Sequence, residues 1–600
     1  MDLCRTVSIL LLLVCLAAGA NAKTYWVAVT GSDSGPGSRD APFRTIQRAA
    51  EAMGPGDTCV VRKGLYRETI RPARSGAPGK PVVFRAADGE VVTIIGTEPV
   101  TGWKKGENGV YSAELDFATG QLFADGSMMT EARWPNTGPN PLRPMLAIAG
   151  DGTTQTSIID RAIPFPKEVV EGSLMHVTPG ARWVSWTRRI KTFDPEKHEM
   201  TFDVCGTDWA HAVNPGSRYY LIGKREFLDA PGEWFQDRNS GEVYLIPPAG
   251  ADPSKLRVEA KKRQMAFDLS KLEHIHVRGF RMFACTVTMA DASFCLVEDC
   301  HIKHPSHFVE CEGWGTGMDD TGVVVSGHDN EIRKCSISWS AGNGISLLGE
   351  KNRVTNCLIH DVDYAAVDCS AVRAFGKGHV ISHNTMFNSG RSILVHRYLR
   401  AGRIEYNHLH NPGLLTTDLG CTYCFDTDGE GTTICYNWVH DNHAPCGVGI
   451  YVDNNSPNHV VHHNVSWGNE NSGIRINTPC RNGQFYNNTV FSNGDSFHHW
   501  GTDDVADGTR VVNNAGSNKA EFAKGAIVEN NKFEIDLKLM DPKSLDFRPR
   551  PDSPLVDAGV EIPGFTDGFK GKAPDLGAYE FGAERWTAGH DWGDAPEVNY

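Results

Sequence analysis

Past residue 22 the chain has no apolar run long enough to cross a membrane as a helix. It also lacks an excess of positive charge. Its 73 acidic residues outnumber 59 basic ones, giving a formal net charge of -14, which argues against nucleic acid or another polyanion as partner. Paired Cys-x-x-Cys motifs are missing too. Of 16 cysteines only Cys421 and Cys424 stand at that spacing, so a zinc framework is not expected. The acidic stretch Asp426-Thr-Asp428-Gly-Glu430 has some likeness to a calcium loop but lacks its twelve-residue pattern. No cofactor is therefore expected, and calcium at Asp426, Asp428 and Glu430 is the one metal alternative.

The chain does have a leader. Arg5 precedes the largely apolar residues 7–18, and Ala20-Asn21-Ala22 forms a small-x-small cleavage site. Residues 1–22 read as a signal peptide, with a mature, soluble, secreted or periplasmic chain starting near Lys23. Export permits disulfides. However, Cys300, Cys335 and Cys357 recur at equivalent repeat positions, which predicts stacked, buried and mostly free thiols.

Residues 23–99 open with a strand, a Gly/Ser/Pro loop and an amphipathic helix carrying Ile46, Ala49, Ala50 and Met53 on one face. This segment resembles the N-terminal cap of right-handed parallel β-helix families, where a cap covers the open end of the core. Residues 100–260 alternate like antiparallel strands, with turns at Asp125-Gly126 and Ser240-Gly241. They predict an inserted, β-sandwich-like domain. Its tryptophans, Trp134, Trp183, Trp186, Trp209 and Trp234, are read as core rather than as a sugar platform.

Residues 261–540 carry a repeat. The motif apolar-x-x-(Cys/Asn)-x-apolar aligns Gly279, Cys300, Cys335, Cys357, Asn384, Asn407, Asn437, Asn464, Asn488 and Asn514, mostly one short coil apart. The fold expected is all-β, a right-handed parallel β-helix or solenoid with an N-terminal cap helix. The Asn column predicts amides hydrogen-bonded along the stack. Three positions later, His360, Phe387, His410, His440, Trp467 and Phe491 form a ring ladder, read first as stacking between coils and second as a sugar wall with His440 or His443 near the carboxylates. Residues 541–600 close the helix and end in a polar tail.

A second set of strands, GVVVSG, GISLLG, YAAVDC, SILVHR, TYCFDT, GIYVDN and GIRINT, can be aligned coil by coil. Alternation puts Val323/Val325, Ile345/Leu347, Ala365/Val367, Ile393/Val395, Tyr423/Phe425, Ile450/Val452 and Ile474/Ile476 inward. Five successive coils then present Asp368, His396, Asp426, Asp453 and Asn477 outward, with Tyr451 and Arg475 beside them. Carboxylates one coil apart raise the proton affinity of one of them, which suits a general acid working beside an anion. Asp418, on the loop that lengthens this coil, competes with Asp426 as the partner of Asp453. An Asp426–Asp453 pair would lie one strand apart, about 4.8 Å, a spacing for direct attack, and Asp418 would widen it toward room for a water.

The cap TYWVAVTGSDSGPGSRDAPFRTIQRAA, the segments GQLFADGSMMTEARWPN and PGEWFQDRNSGEVYLIPP, and the block DLG…GTTICYNWVHDN…GIYVDNNSPNHVVHHNVSW resemble secreted β-helix glycoside hydrolases of families 120 and 141, xylosidase-like and fucosidase- or xylanase-like. The resemblance covers most of the mature chain, insert included. It implies two acidic residues on the helix face, Asp453 and one of Asp418 and Asp426, where some relatives carry Asp-Asp and this chain has Asp453-Asn454. It implies hydrolysis of a plant or algal cell-wall polysaccharide or oligosaccharide by a monomer, with His396, Tyr451, Arg475, His440, His443 and Asp368 as substrate-binding residues. A polysaccharide lyase of the alginate or chondroitin type and a non-catalytic carbohydrate-binding solenoid are the alternatives.

Overall fold

Short apolar strands at a fixed period leave each coil with an unburied core face, and stacking the coils buries it. The computed structural model describes residues 22–501 and 503–598, so residues 1–21 of the expected signal peptide lie outside them. The stacked coils build three parallel sheets of 14, 12 and 10 strands. The first runs from Thr24–Val27 to Ile527–Glu529, the second from Gly64–Tyr66 to Ala515–Gly516, and the third from Met265–Asp268 to Asp495–His498. The chain is a right-handed parallel β-helix with one continuous apolar core from Val27 to Val511.

The cap helix is Ile46–Ala52. Thr45 accepts from the Arg48 amide at its start, and Ile46, Ala49 and Ala50 face the core. The first coils break off at Ile95. Antiparallel sheets follow, and the parallel coils resume at Met265–Asp268. The inserted domain has its own core around Met175, Val177, Tyr219 and Leu221. It docks on the helix through main-chain bonds: Ser185 N–H to Ala366 O (2.8 Å), Thr187 N–H to Cys311 O (2.9 Å) and Thr417 N–H to Arg182 O (3.1 Å).

The ladders form as the repeat predicts. Each Asn Nδ2 donates to the next Asn Oδ1, from Asn384 to Asn407 (2.9 Å), Asn437 (3.0 Å), Asn464 (3.0 Å), Asn488 (3.0 Å) and Asn514 (2.9 Å). Cys300, Cys335 and Cys357 are free, fully buried thiols. The ring ladder stacks from His360 through Phe387, His410, His440 and Trp467 to Phe491. Its last rings lie under the C-terminal segment, where Phe547, Tyr579 and Trp586 pack against Trp438, Trp467 and Phe491.

The third sheet departs from the expected alignment in its middle coils. Arg373 pairs with Val395, Val395 with Tyr423, Tyr423 with Tyr451, and Tyr451 with Arg475. These residues therefore share one face. The inward set is Val372/Ala374, then Leu394/His396, Thr422/Cys424 and Ile450/Val452. In the Asp368 coil the strand is Val372–Ala374, beyond the YAAVDC stretch. In the next two coils the register is slipped by one residue, which reverses every side chain. The cause is that the outer face is covered as well: Val395 is fully buried and Tyr451 nearly so. A sheet buried on both sides carries no clean polar alternation.

Candidate active site

The strand Gly447–Val452 ends at Asp453, whose amide still donates to Cys424 O on the preceding coil (3.0 Å). Three donors converge on its carboxylate. Tyr423 Oη donates to Oδ2 (2.9 Å), while Asn477 Nδ2 (2.7 Å) and the Asn454 amide (2.8 Å) donate to Oδ1. Tyr423 and Asn477 come from the coils on either side.

Asp418 sits just before the strand Leu419–Cys424, in the left-handed region at φ 52°. Its amide donates to Pro445 O (2.9 Å). Tyr451 Oη reaches Asp418 Oδ1 (3.3 Å) and accepts from Asn477 Nδ2 (2.9 Å). Asp418 and Asp453 are thus joined through one phenol and one amide, a path of three hydrogen bonds that spans at most about 9 Å. Burial pushes the Asp418 carboxyl above the usual range. The Asp453 charge adds to this, while Arg391, Arg475 and the Tyr451 bond oppose it.

Arg391, almost fully buried, holds the floor. Its Nε donates to Asp368 Oδ1 (2.8 Å), and Nη1 donates to Trp183 O (2.9 Å) and Thr417 O (3.2 Å). Burial disfavours its charge, yet Asp368, Tyr423 and Asp418 together hold its pKa above the ordinary value. It also lies under the rings of Trp314 and Tyr423. The insert adds a wall here. Trp183 meets Trp209 and His211 edge-on, and Trp314 Nε1 donates to His211 Nε2 (3.0 Å). Trp209 is 75% exposed. Trp234 is core, as expected, but Trp183 is half-buried and Trp209 exposed, and the two form an aromatic surface next to Arg391.

The structure gathers Asp418, Asp453, Tyr451 and Arg475. Arg475 Nε donates to Asn477 Oδ1 (3.0 Å), and Nη1 lies 4.0 Å from Asp418. The other expected site residues lie elsewhere. Asp426 is exposed and follows the strand, with its amide on Asn454 O, so it is level with Asn454 and not with Asp453. His396 points into the core at 0% exposure, because of the slipped register. Asp368 lies in a loop, buried against Arg391 and Arg373, and not on an outward strand position. His440 stands on the second sheet, bonded through Nδ1 to Asp441 (2.8 Å) and stacked on His410 and Trp467. The exposed His443 interacts with that same Asp441, not with the carboxylate pair. The acidic turn does not converge for calcium either: Glu430 pairs with Lys377 (3.0 Å) and Arg400 (3.5 Å), and Asp428 accepts from Asn458.

Sequence reading missed Tyr423 as a ligand of Asp453, Arg391 as the floor, and the Trp183–Trp209–Trp314 wall. Only Tyr423 left a signal, being one residue out of its assigned register. A separate cavity of about 120 Å³ between insert and helix is lined by Glu131, Arg133, His176, Tyr220, His307 and Tyr364, and by neither carboxylate of the pair.

Residues 285–490 match the family model described as a right handed beta helix region. Among curated proteins, the chain is 41% identical over 71 residues to the uncharacterized protein YwoF of Bacillus subtilis (strain 168), covering 12% of this chain and 15% of that protein. It is 39% identical over 79 residues to pectate lyase PEL9 of Emericella nidulans, covering 13% of this chain and 19% of that protein. The matches thus span less than a fifth of either relative. A solved structure titled glycoside hydrolase superposes with a TM-score of 0.61 at 16% identity, covering 86% of this chain and 97% of that one, a likeness of fold.

Proposed function

We propose that this chain is a secreted or periplasmic glycosidase that hydrolyses a plant or algal cell-wall polysaccharide or oligosaccharide with two carboxyl groups. Asp418 is the general acid and Asp453 the anion opposite it. The observation that carries this reading is the pair itself. Burial raises the proton affinity of Asp418, and three donors converge on the Asp453 carboxyl. The glycosidic oxygen takes the Asp418 proton as the bond to the anomeric carbon breaks. Asp453 activates the water that attacks the opposite face, and the charge left on Asp418 falls beside Arg391 and Arg475. The aromatic surface of Trp183 and Trp209 is the platform for the sugar rings. With Asp426 out of the pair, the one-strand argument for retention lapses. Two polar groups separate Asp418 from Asp453, and the expected outcome is inversion, whose carboxyl spacing is about 6.5–9.5 Å. The product anomer, followed by NMR during turnover, tests it.

Asp418→Asn and Asp453→Asn, each folded, test the assignment. Loss of turnover by three or more powers of ten in both is expected, and full activity in either refutes it. The second reading is a polysaccharide lyase, which the short likeness to pectate lyase PEL9 and the position of Arg475 beside the pair favour. Arg475 would neutralise the uronate carboxylate. Arg391 cannot assist, since its guanidinium is committed to Asp368 and two carbonyls.

A further inference from the structure

His396, Cys424 and His459 meet inside the β-helix, on the opposite face of the sheet from the carboxylate pair. All three are fully buried, and their ligating atoms lie within 4.8 Å of one another. His396 and Cys424 occupy the same inward position on adjacent coils, and His459 comes from the turn before the strand Val460–His462. Among the described residues this is the one group of three or more His, Cys, Asp or Glu side chains close enough to share an ion.

We propose that this cluster is a structural site for one d10 cation, copper(I) or zinc(II). The first argument is an unmet need. Both ring nitrogens of His396 are buried without a hydrogen-bond partner, and an orphaned buried polar group requires an explanation such as an ion. The second is orientation. His459 Nδ1 lies 3.3 Å from Ser456 O, which fixes the proton there and turns the Nε2 lone pair toward Cys424 Sγ. The third is distance. The Sγ–Nε2 separation is 3.7 Å. Metal bonds of about 2.0–2.1 Å to nitrogen and about 2.3 Å to sulfur give an N···S edge of about 3.5–3.8 Å around one ion, from tetrahedral to trigonal angles.

The donor chemistry is soft: one thiolate and two imidazoles, the set that takes copper(I) or zinc(II) over calcium or magnesium. Binding forms one bond from each ligand to the ion, and the Cys424 thiol proton passes to solvent. In the apolar core a copper(I) ion with one thiolate is neutral overall, whereas zinc leaves one positive charge. Access to so buried a place requires loading as the chain folds.

The test is metal content per chain by mass spectrometry, after chelator washing. The full chain is produced in medium supplemented with copper or zinc, alongside Cys424→Ser, His396→Gln and, as a control, the exposed Cys446→Ser. About one ion per chain in the wild type and in Cys446→Ser, a background level in the other two, and a melting temperature raised several degrees by loading support the site. Less than about a tenth of an ion in the wild type from both media overturns it, as does equal loading of Cys424→Ser. If the substituted chains do not fold, wild type produced with cobalt(II) decides. A thiolate-to-cobalt charge-transfer band supports the site, and its absence overturns it.

Discussion

Tyr451 carries more of the site than its strand position announces. Its phenol links the two carboxyls, donating to Asp418 and accepting from Asn477. Tyr451→Phe keeps the ring and removes the link, so turnover should fall about 10²–10³-fold with a nearly unchanged melting temperature, as when one preorganised donor is lost. A variant within a factor of two of wild type would show that the phenol is idle. The proton on Asp418 sets a second expectation. Because its pKa is raised, the acid form persists above the usual aspartate range and is lost as pH rises. The rate profile should fall on the alkaline side through that ionisation, and Asp418→Glu should move this limb. Asp363 shows the stability side of the same physics. Burial lifts its pKa to about 8, and Oδ2 has no partner. The folded chain then holds a proton that the unfolded chain has lost. Stability is greatest below the unfolded value and declines as pH rises toward about 8. Asp363→Asn should flatten that decline, worth up to about 1.4 kcal/mol per pH unit, and raise the melting temperature near pH 7. An unchanged pH profile of melting would contradict the assignment.

Among the elements, the ladders were legible because a repeat states them many times over. Asn384 to Asn514, Cys300 to Cys357 and His360 to Phe491 each occupy one column, and no single coil has to be read alone. The strands beneath the insert were not legible. Ile393, Leu394 and Val395 are all fully buried, so composition cannot tell the inner face from the outer. Cys424 and His396 gave no inward signal, being weakly apolar and polar side chains at core positions. The Asn ladder offers a test of what stacking contributes. In Asn437→Ala, the Asn407 amide and side chain lose their acceptor, and Ile404 O loses its donor. Orphaned buried groups cost about 1–3 kcal/mol each, so the urea midpoint should drop clearly. An unmoved midpoint would mean that water enters and replaces the amide.

For the whole molecule, the insert is what adds an aromatic wall to a solenoid face. Its docking loop bonds Arg182 O to Thr417, the neighbour of Asp418, and sets Trp183 above Arg391. The tryptophans of the insert were expected in the core, because nothing local distinguishes Trp209 at 75% exposure from Trp234 at 3%. Trp209→Ala should raise KM about tenfold on long substrates with little change in kcat, as loss of a stacked ring costs about 0.5–1.5 kcal/mol beyond its area. An unaltered KM would place the substrate elsewhere. The central claim is hydrolysis by Asp418 and Asp453, and one digest tests it most directly. Neutral and acidic cell-wall polysaccharides are treated with the wild type and with Asp453→Asn, and new reducing ends and ultraviolet absorbance are followed together. The account predicts reducing ends without absorbance in the wild type and neither signal in Asp453→Asn. Absorbance rising in step with the reducing ends, as an unsaturated product requires, would contradict it.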